Sequence, residues 1–174
     1  MSRLRILGLD PGIAIVGFGV IDAERGDFRH VIHGAIRTEA GLPLSRRLEI
    51  IYDDLNRLLD DVEPDAVAIE ELFFNTNLTT GISVAHGRGI LLLACRQRQI
   101  PIFEYTPLQV KQSVVGYGRA EKRQIMDMVR RMLHLEETPK PDDAADALAI
   151  ALCHGRAATS LLFGAEEDGI CSTI

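Results

Sequence analysis

The sequence predicts an α/β domain: a mixed sheet, made of a three-strand antiparallel meander with parallel strands beside it, flanked by helices. Two observations carry this. Three strand-like segments, the apolar 4–9, the β-branched 13–21 and the loosely alternating 28–37, follow one another with turn residues between them. After them, helical periodicities alternate with short apolar runs, the pattern of parallel strands joined by right-handed crossovers. With 174 residues and 47% hydrophobic side chains, the chain is long and apolar enough for one domain with its own core.

Each element has a local reason. Residues 4–9 are apolar enough for a strand buried on both faces, and Asp10-Pro11-Gly12 stops it, because Pro-Gly turns and does not extend. Residues 13–21 are β-branched with Gly17 and Gly19 among them. The charged stretch 22–27, with Gly26, is read as the hairpin turn before the third strand. Leu48, Ile51, Leu55, Leu58, Leu59 and Val62 recur every three or four residues, which predicts a helix over Leu44–Val62. Pro64-Asp65 ends it, and Ala66-Val67-Ala68-Ile69 forms a buried strand that runs into Glu70-Glu71.

A helix over 79–99 carries Gly81, Ala85 and Gly89 at four-residue spacing. That stripe suits packing on the chain's own sheet or contact with a second copy equally well. Residues 101–105 read as the fifth strand, and Pro107–Val115 and 120–133 as helices around the break Gly116-Tyr117-Gly118. The last helix is expected over 142–156. The domain is expected to occupy 1–158, with 159–174 a C-terminal tail that is a candidate for disorder.

Composition excludes some classes. No apolar run reaches the length of a membrane span, so no membrane association is expected. Cys95, Cys153 and Cys171 show no metal-ligand spacing and read as reduced thiols of a cytoplasmic protein. The net charge of −6 argues against general coating of nucleic acid and leaves room for a local basic groove.

The acids are the informative residues. Asp10 and Glu70 end two strands, and Asp143 and Asp146 sit three apart at the start of the last helix. Asp10 has an ordinary role open to it as a turn starter, and Asp142 as a helix N-cap. The favourable place of acids in a helix's first turn accounts for Asp146 less well, because it lies between alanines beside the apolar stripe. Converging carboxylates repel and resist ionising unless cations neutralise them, and Mg²⁺ takes oxygen ligands. The five histidines form no HExxH-type pattern. These residues alone fit a metal-dependent nuclease acting on RNA, duplex or branched DNA. An actin-like kinase or ATPase also begins with a strand ending in Asp-x-Gly. A non-catalytic DNA-binding module gains nothing from such acids.

Five segments then decide between them. They are Leu7-Gly8-Leu9-Asp10-Pro11-Gly12, Ala68-Ile69-Glu70-Glu71, Gln109-Val110-Lys111-Gln112 with Val114-Val115-Gly116, Ala120-Glu121-Lys122, and Asp143-Ala144-Ala145-Asp146-Ala147-Leu148-Ala149-Ile150-Ala151. In this order and spacing, from Ile6 to about His154, the chain resembles the RuvC family of Holliday-junction resolvases. The resemblance implies a ribonuclease-H-like fold, a homodimer, and Mg²⁺-dependent paired nicking of four-way DNA junctions in recombination and repair, with 5′-phosphate and 3′-hydroxyl ends. It also implies one or two Mg²⁺ per site, with Mn²⁺ able to substitute, and work beside the RuvA and RuvB branch-migration complex.

Residue by residue, Asp10, Glu70, Asp143 and Asp146 match the family's metal-binding acids. The family varies at the position of Asp143, where some members have His. Lys111 and Lys122 match basic residues near DNA phosphates, and they are two of only three lysines here. Arg119 and Arg123 are expected to join them. Phe73 matches an aromatic placed against junction bases, with Phe74 beside it as the alternative.

Overall fold

The computed structural model describes the backbone of residues 3–72 and 78–167, and the side chains of 3–72 and 81–159. Five strands form one sheet in the order β3-β2-β1-β4-β5. β1 (Leu4–Asp10), β2 (Ile15–Glu24) and β3 (Asp27–Arg37) make the antiparallel meander. β4 (Ala66–Glu70) pairs parallel to β1, and β5 (Ile102–Tyr105) parallel to β4. This is the expected mixed sheet.

Helices cover both faces. α1 (Leu44–Val62) and α2 (Leu78–Gln97) lie on one side, where Ile51, Leu55, Leu59, Leu91 and Ala94 bury against Leu7, Leu9, Val16, Val20, Val67 and Ile69. α3 (Pro107–Val115), α4 (Lys122–Met132) and α5 (Asp142–Glu167) lie on the other, where Val110, Val114, Ile125, Val129, Leu148 and Leu152 bury against Ile6, Ile21 and Ala68. β1 feeds both cores with alternate residues, which is why its sequence is apolar throughout.

α5 sits unusually close to the sheet, and glycine is the reason. A Cβ on Gly8 would fall 2.0 Å from the Ala147 carbonyl oxygen, and one on Gly17 would fall 2.0 Å from that of Asp143. One on Gly19 would come 2.6 Å from the Leu148 side chain. Gly8 and Gly19 are paired across β1 and β2, and Gly17 is paired with Asp10. The track of missing side chains lets the helix backbone rest on the strand backbones. It fixes the first turns of α5 beside the end of β1.

Two boundaries differ from the sequence expectation by more than two residues. β2 continues through Asp22 to Glu24, and the turn shrinks to Arg25 and Gly26, both at positive φ (53° and 88°). That is the geometry of a two-residue hairpin turn. Asp22 stays in the strand because the Arg5 guanidinium donates to it from Nε at 2.8 Å and from Nη2 at 3.1 Å. Burial works against that charge, but the Arg5 hydrogen bonds hold its carboxyl below the ordinary carboxylate range. The second difference is α5, which runs past Arg156 to Glu167. The segment 159–174 therefore starts inside a helix, and 168–174 lies outside the described residues.

Candidate active site

Three elements bring four acids together at the C-terminal end of β1 and β4. Asp10 is the last residue of β1 and Glu70 the last of β4, both half-buried. Asp143 and Asp146 come from the first turns of α5. α3 and α4 close the far side, and their starts are fixed by capping. The Thr106 hydroxyl accepts from the Gln109 amide at 3.1 Å, and the Gln109 side chain accepts from the Thr106 amide at 2.8 Å. At α4 the Gln124 side chain accepts from the Glu121 amide at 2.9 Å, so Lys122 opens the helix facing α5.

The result is a cleft of about 220 Å³ lined by Asp10, Glu70, Asp146, Lys111 and Lys122, with Pro107, Val110, Ile125, Ala149 and Ile150 as its apolar wall. The Lys122 ammonium donates to Asp146 Oδ2 at 3.0 Å and lies 3.5 Å from Asp142 Oδ2. Asp142 is thereby a counter-ion to Lys122, a role the sequence did not reveal.

The electrostatics follow from placement. Burial, then the charges of Asp146, Glu70 and Asp143, push the Asp10 carboxyl up to about 8, with Lys122 pulling the other way. Burial and then Asp146 raise Glu70, against Lys111. Burial raises Asp146 too, opposed by its bond to Lys122.

The structure thus gathers Asp10, Glu70, Asp146, Lys111 and Lys122, with Asp143 close enough to act on Asp10 and Asp146 through its charge. Arg119 and Arg123 are exposed and do not line the cleft. Phe73 and Phe74 lie outside the described residues. Among the described residues, no three carboxylates are gathered tightly enough to hold one ion as they stand. Lys122 is the cation that neutralises Asp146 instead. Sequence reasoning missed the glycine track, for which Gly17 and Gly19 on one face of a strand were the available signal. It also missed Arg88 of α2, whose Nε donates to the Glu70 carbonyl at 3.1 Å.

The family model for crossover junction endodeoxyribonuclease RuvC matches residues 6–154. The chain belongs to the RuvC family. The Brevibacillus brevis protein named crossover junction endodeoxyribonuclease RuvC is 53% identical over 153 residues, covering 88% of this chain and 92% of that protein. The one from Alkaliphilus metalliredigens is 55% identical over 149 residues, covering 86% of this chain and 91% of that protein. Among solved structures, Thermus thermophilus RuvC in complex with a Holliday junction substrate superposes with a TM-score of 0.85 at 36% identity. It matches 90% of this chain and 96% of its own. The mixed sheet with helices on both faces is therefore the ribonuclease-H-like fold of the RuvC resolvases, as the sequence resemblance implied.

Proposed function

We propose that this chain resolves four-way DNA junctions by hydrolysing two phosphodiester bonds at symmetric positions, leaving 5′-phosphate and 3′-hydroxyl ends. The observation that carries the reading is the cleft itself. Strand-end acids and two of the chain's three lysines meet there, in a member of a family of crossover junction endodeoxyribonucleases.

The donor set fits a hard divalent cation. It is all carboxylate oxygen, and burial and mutual repulsion oppose its ionisation in the absence of a cation. Asp10, Glu70, Asp143 and Asp146 would hold one or two Mg²⁺, with Mn²⁺ suited to the same oxygens. When bound, the metal would supply charge neutralisation at the phosphate and would acidify the water used in hydrolysis. The chain's own residues do the rest. Lys111 and Lys122 face the cleft and bind phosphate oxygens, so affinity falls as salt rises. Val110, Ile125 and Ile150 narrow the aqueous space around the acids, which strengthens each charge interaction there. Arg119 and Arg123 would meet the DNA arms outside the cleft, and Phe73 or Phe74 would stack on bases at the junction centre, as the family resemblance implies. Residues 1–158 form the nuclease domain, working in the cytoplasm beside RuvA and RuvB.

The test is cleavage of a synthetic four-way junction and of a linear duplex of the same sequence. Cleavage of the junction with Mg²⁺, and none with Ca²⁺ or a chelator, is expected. Equal cleavage of the duplex would refute junction selectivity.

Two symmetric cuts need two sites, and one chain carries one. We assign the second to a partner copy across a two-fold axis. α2 supports this. Ile82 is 54% exposed, Leu93 is 49% exposed, and a Cβ on Gly89 meets nothing within 4 Å. These positions share a helix face, and the small residue turned toward the rest of the chain is Gly87. Gly89→Arg is therefore expected to fold normally and to be monomeric by light scattering. On a supercoiled cruciform plasmid it is expected to yield nicked circles in place of linear product. A Gly89→Arg dimer would move the contact to another face.

A further inference from the structure

We infer that Arg88 is a positioning residue, which holds the end of β4 so that Glu70 meets Asp10 and Asp146. The inference rests on the nuclease reading of the cleft.

The backbone at Glu70 has a specific need. The Val67 amide donates to the Pro101 carbonyl at 2.9 Å, and the Glu71 amide donates to that of Tyr105 at 2.9 Å. Odd-numbered residues of β4 thus turn their polar groups toward β5, and even-numbered ones turn theirs toward β1. With Ala68 opposite Gly8, the next β1 amide in line for the Glu70 carbonyl is that of residue 11. Residue 11 is proline and has no N–H to give. The turn that presents Asp10 therefore deprives Glu70 of its ladder bond.

Arg88 fills that place from the opposite layer. Its Nε donates to the Glu70 carbonyl at 3.1 Å, and its Nη2 is paired with the Glu104 carboxylate of β5. Its side chain is only 13% exposed. The neighbouring residue, Gly87, lets the helix come this close, since a Cβ there would fall 2.6 Å from the Gly12 carbonyl oxygen. One helical step of α2 thus touches the turn after Asp10 and the strand end before Glu71. A guanidinium suits the task because its rigid fork serves a carbonyl and a carboxylate together.

The test compares Arg88→Ala, Arg88→Lys and Glu104→Gln with Glu70→Gln in the full-length protein. Three quantities are read: the junction cleavage rate at saturating substrate, junction affinity, and Mg²⁺ binding by calorimetry without DNA. Residues that orient a site from outside it are worth about 10–100-fold. Arg88→Ala is expected to lose that much in both rate and Mg²⁺ affinity, with junction affinity within about threefold of wild type. Glu104→Gln leaves the bond to the Glu70 carbonyl in place and is expected to stay within about threefold throughout. Arg88→Lys keeps the charge without the fork and is expected to fall between them, which preserves the test if the alanine variant does not fold.

Native Mg²⁺ affinity in a folded Arg88→Ala or Arg88→Lys would overturn the inference. So would a Glu104→Gln loss equal to that of Arg88→Ala, which would make Arg88 only half of an ion pair. Glu70→Gln separates the two levels. If it still cleaves, the reading of the cleft fails. If it is inactive while the Arg88 variants are normal, the positioning role alone fails.

Discussion

Asp10→Asn abolishes junction cleavage, leaves junction binding intact or tighter, and stabilises the protein in the absence of metal. All three outcomes are expected from one carboxylate. On the proposed reading Asp10 would be a ligand of the loaded site, and losing a group that anchors several kcal/mol of charge stabilisation costs about a thousandfold in rate. Toward DNA the same carboxylate is a negative charge near phosphates, so removing it cannot weaken the attraction. Without metal, folding buries it against Asp146, Glu70 and Asp143 and moves its titration from 3.8 up to about 8. Between those values the folded state holds a proton that the unfolded chain has released. Stability therefore falls as pH rises through that window. Asparagine removes this slope. Calorimetry with a chelator should show the two proteins melting together near pH 4 and the variant melting higher at pH 8. A melting-temperature difference between the two proteins that does not widen from pH 4 to pH 8 would contradict the packing of these acids. Parallel loss of binding and cleavage in a folded variant would make Asp10 structural.

Gly17→Ala is expected to remove activity without touching a charged group. The new methyl group would fall 2.0 Å from the Asp143 carbonyl oxygen, and neither it nor its helix can yield locally, because both are backbone. α5 must lift or tilt at the turn that carries Asp143 and Asp146. Overpacking of this kind costs about 1–3 kcal/mol, or some 2–4 °C of melting temperature per kcal/mol in a chain of this size. The loss of cleavage should be far larger than the loss of stability, because an ångström of displacement at a catalytic group is worth about a hundredfold. Gly26→Ala is the control, since its Cβ meets nothing within 4 Å and only its positive φ is strained. Full cleavage by a folded Gly17→Ala would mean that α5 does not need its close seat.

Some of this architecture could be read directly. Asp10 and Glu70 stood out because an apolar strand that ends in a carboxylate leaves few ordinary reasons for it. Asp146 stood out because it interrupts the alanine stripe of α5. The meander and α1 followed from period-two and period-four patterns, which are properties of neighbouring residues. What stayed hidden depends on distant ones. Asp22 looked like a turn residue, because nothing near it in sequence announces that Arg5, one strand away, satisfies its charge. Glycine within a strand is compatible with a bulge, a turn or a close approach, and only the seat of α5 chooses among them. Arg88 was invisible for a further reason. Its purpose is set by the missing N–H of Pro11, in another element, and by the direction in which the Glu70 carbonyl points.

Lys122 has one ammonium group and two kinds of claimant. It lies between Asp142 and Asp146, and it lines the same cleft as Lys111. While it serves the acids it is a weaker partner for any anion. A cation that takes over Asp146 releases that ammonium, and an anion that draws the ammonium away leaves Asp146 open to a cation. Such dependence is reciprocal by thermodynamic necessity. Ligands of opposite sign arriving at this cleft therefore raise each other's affinity through a side chain that neither replaces, and the protein left alone keeps its acids occupied with a charge of its own.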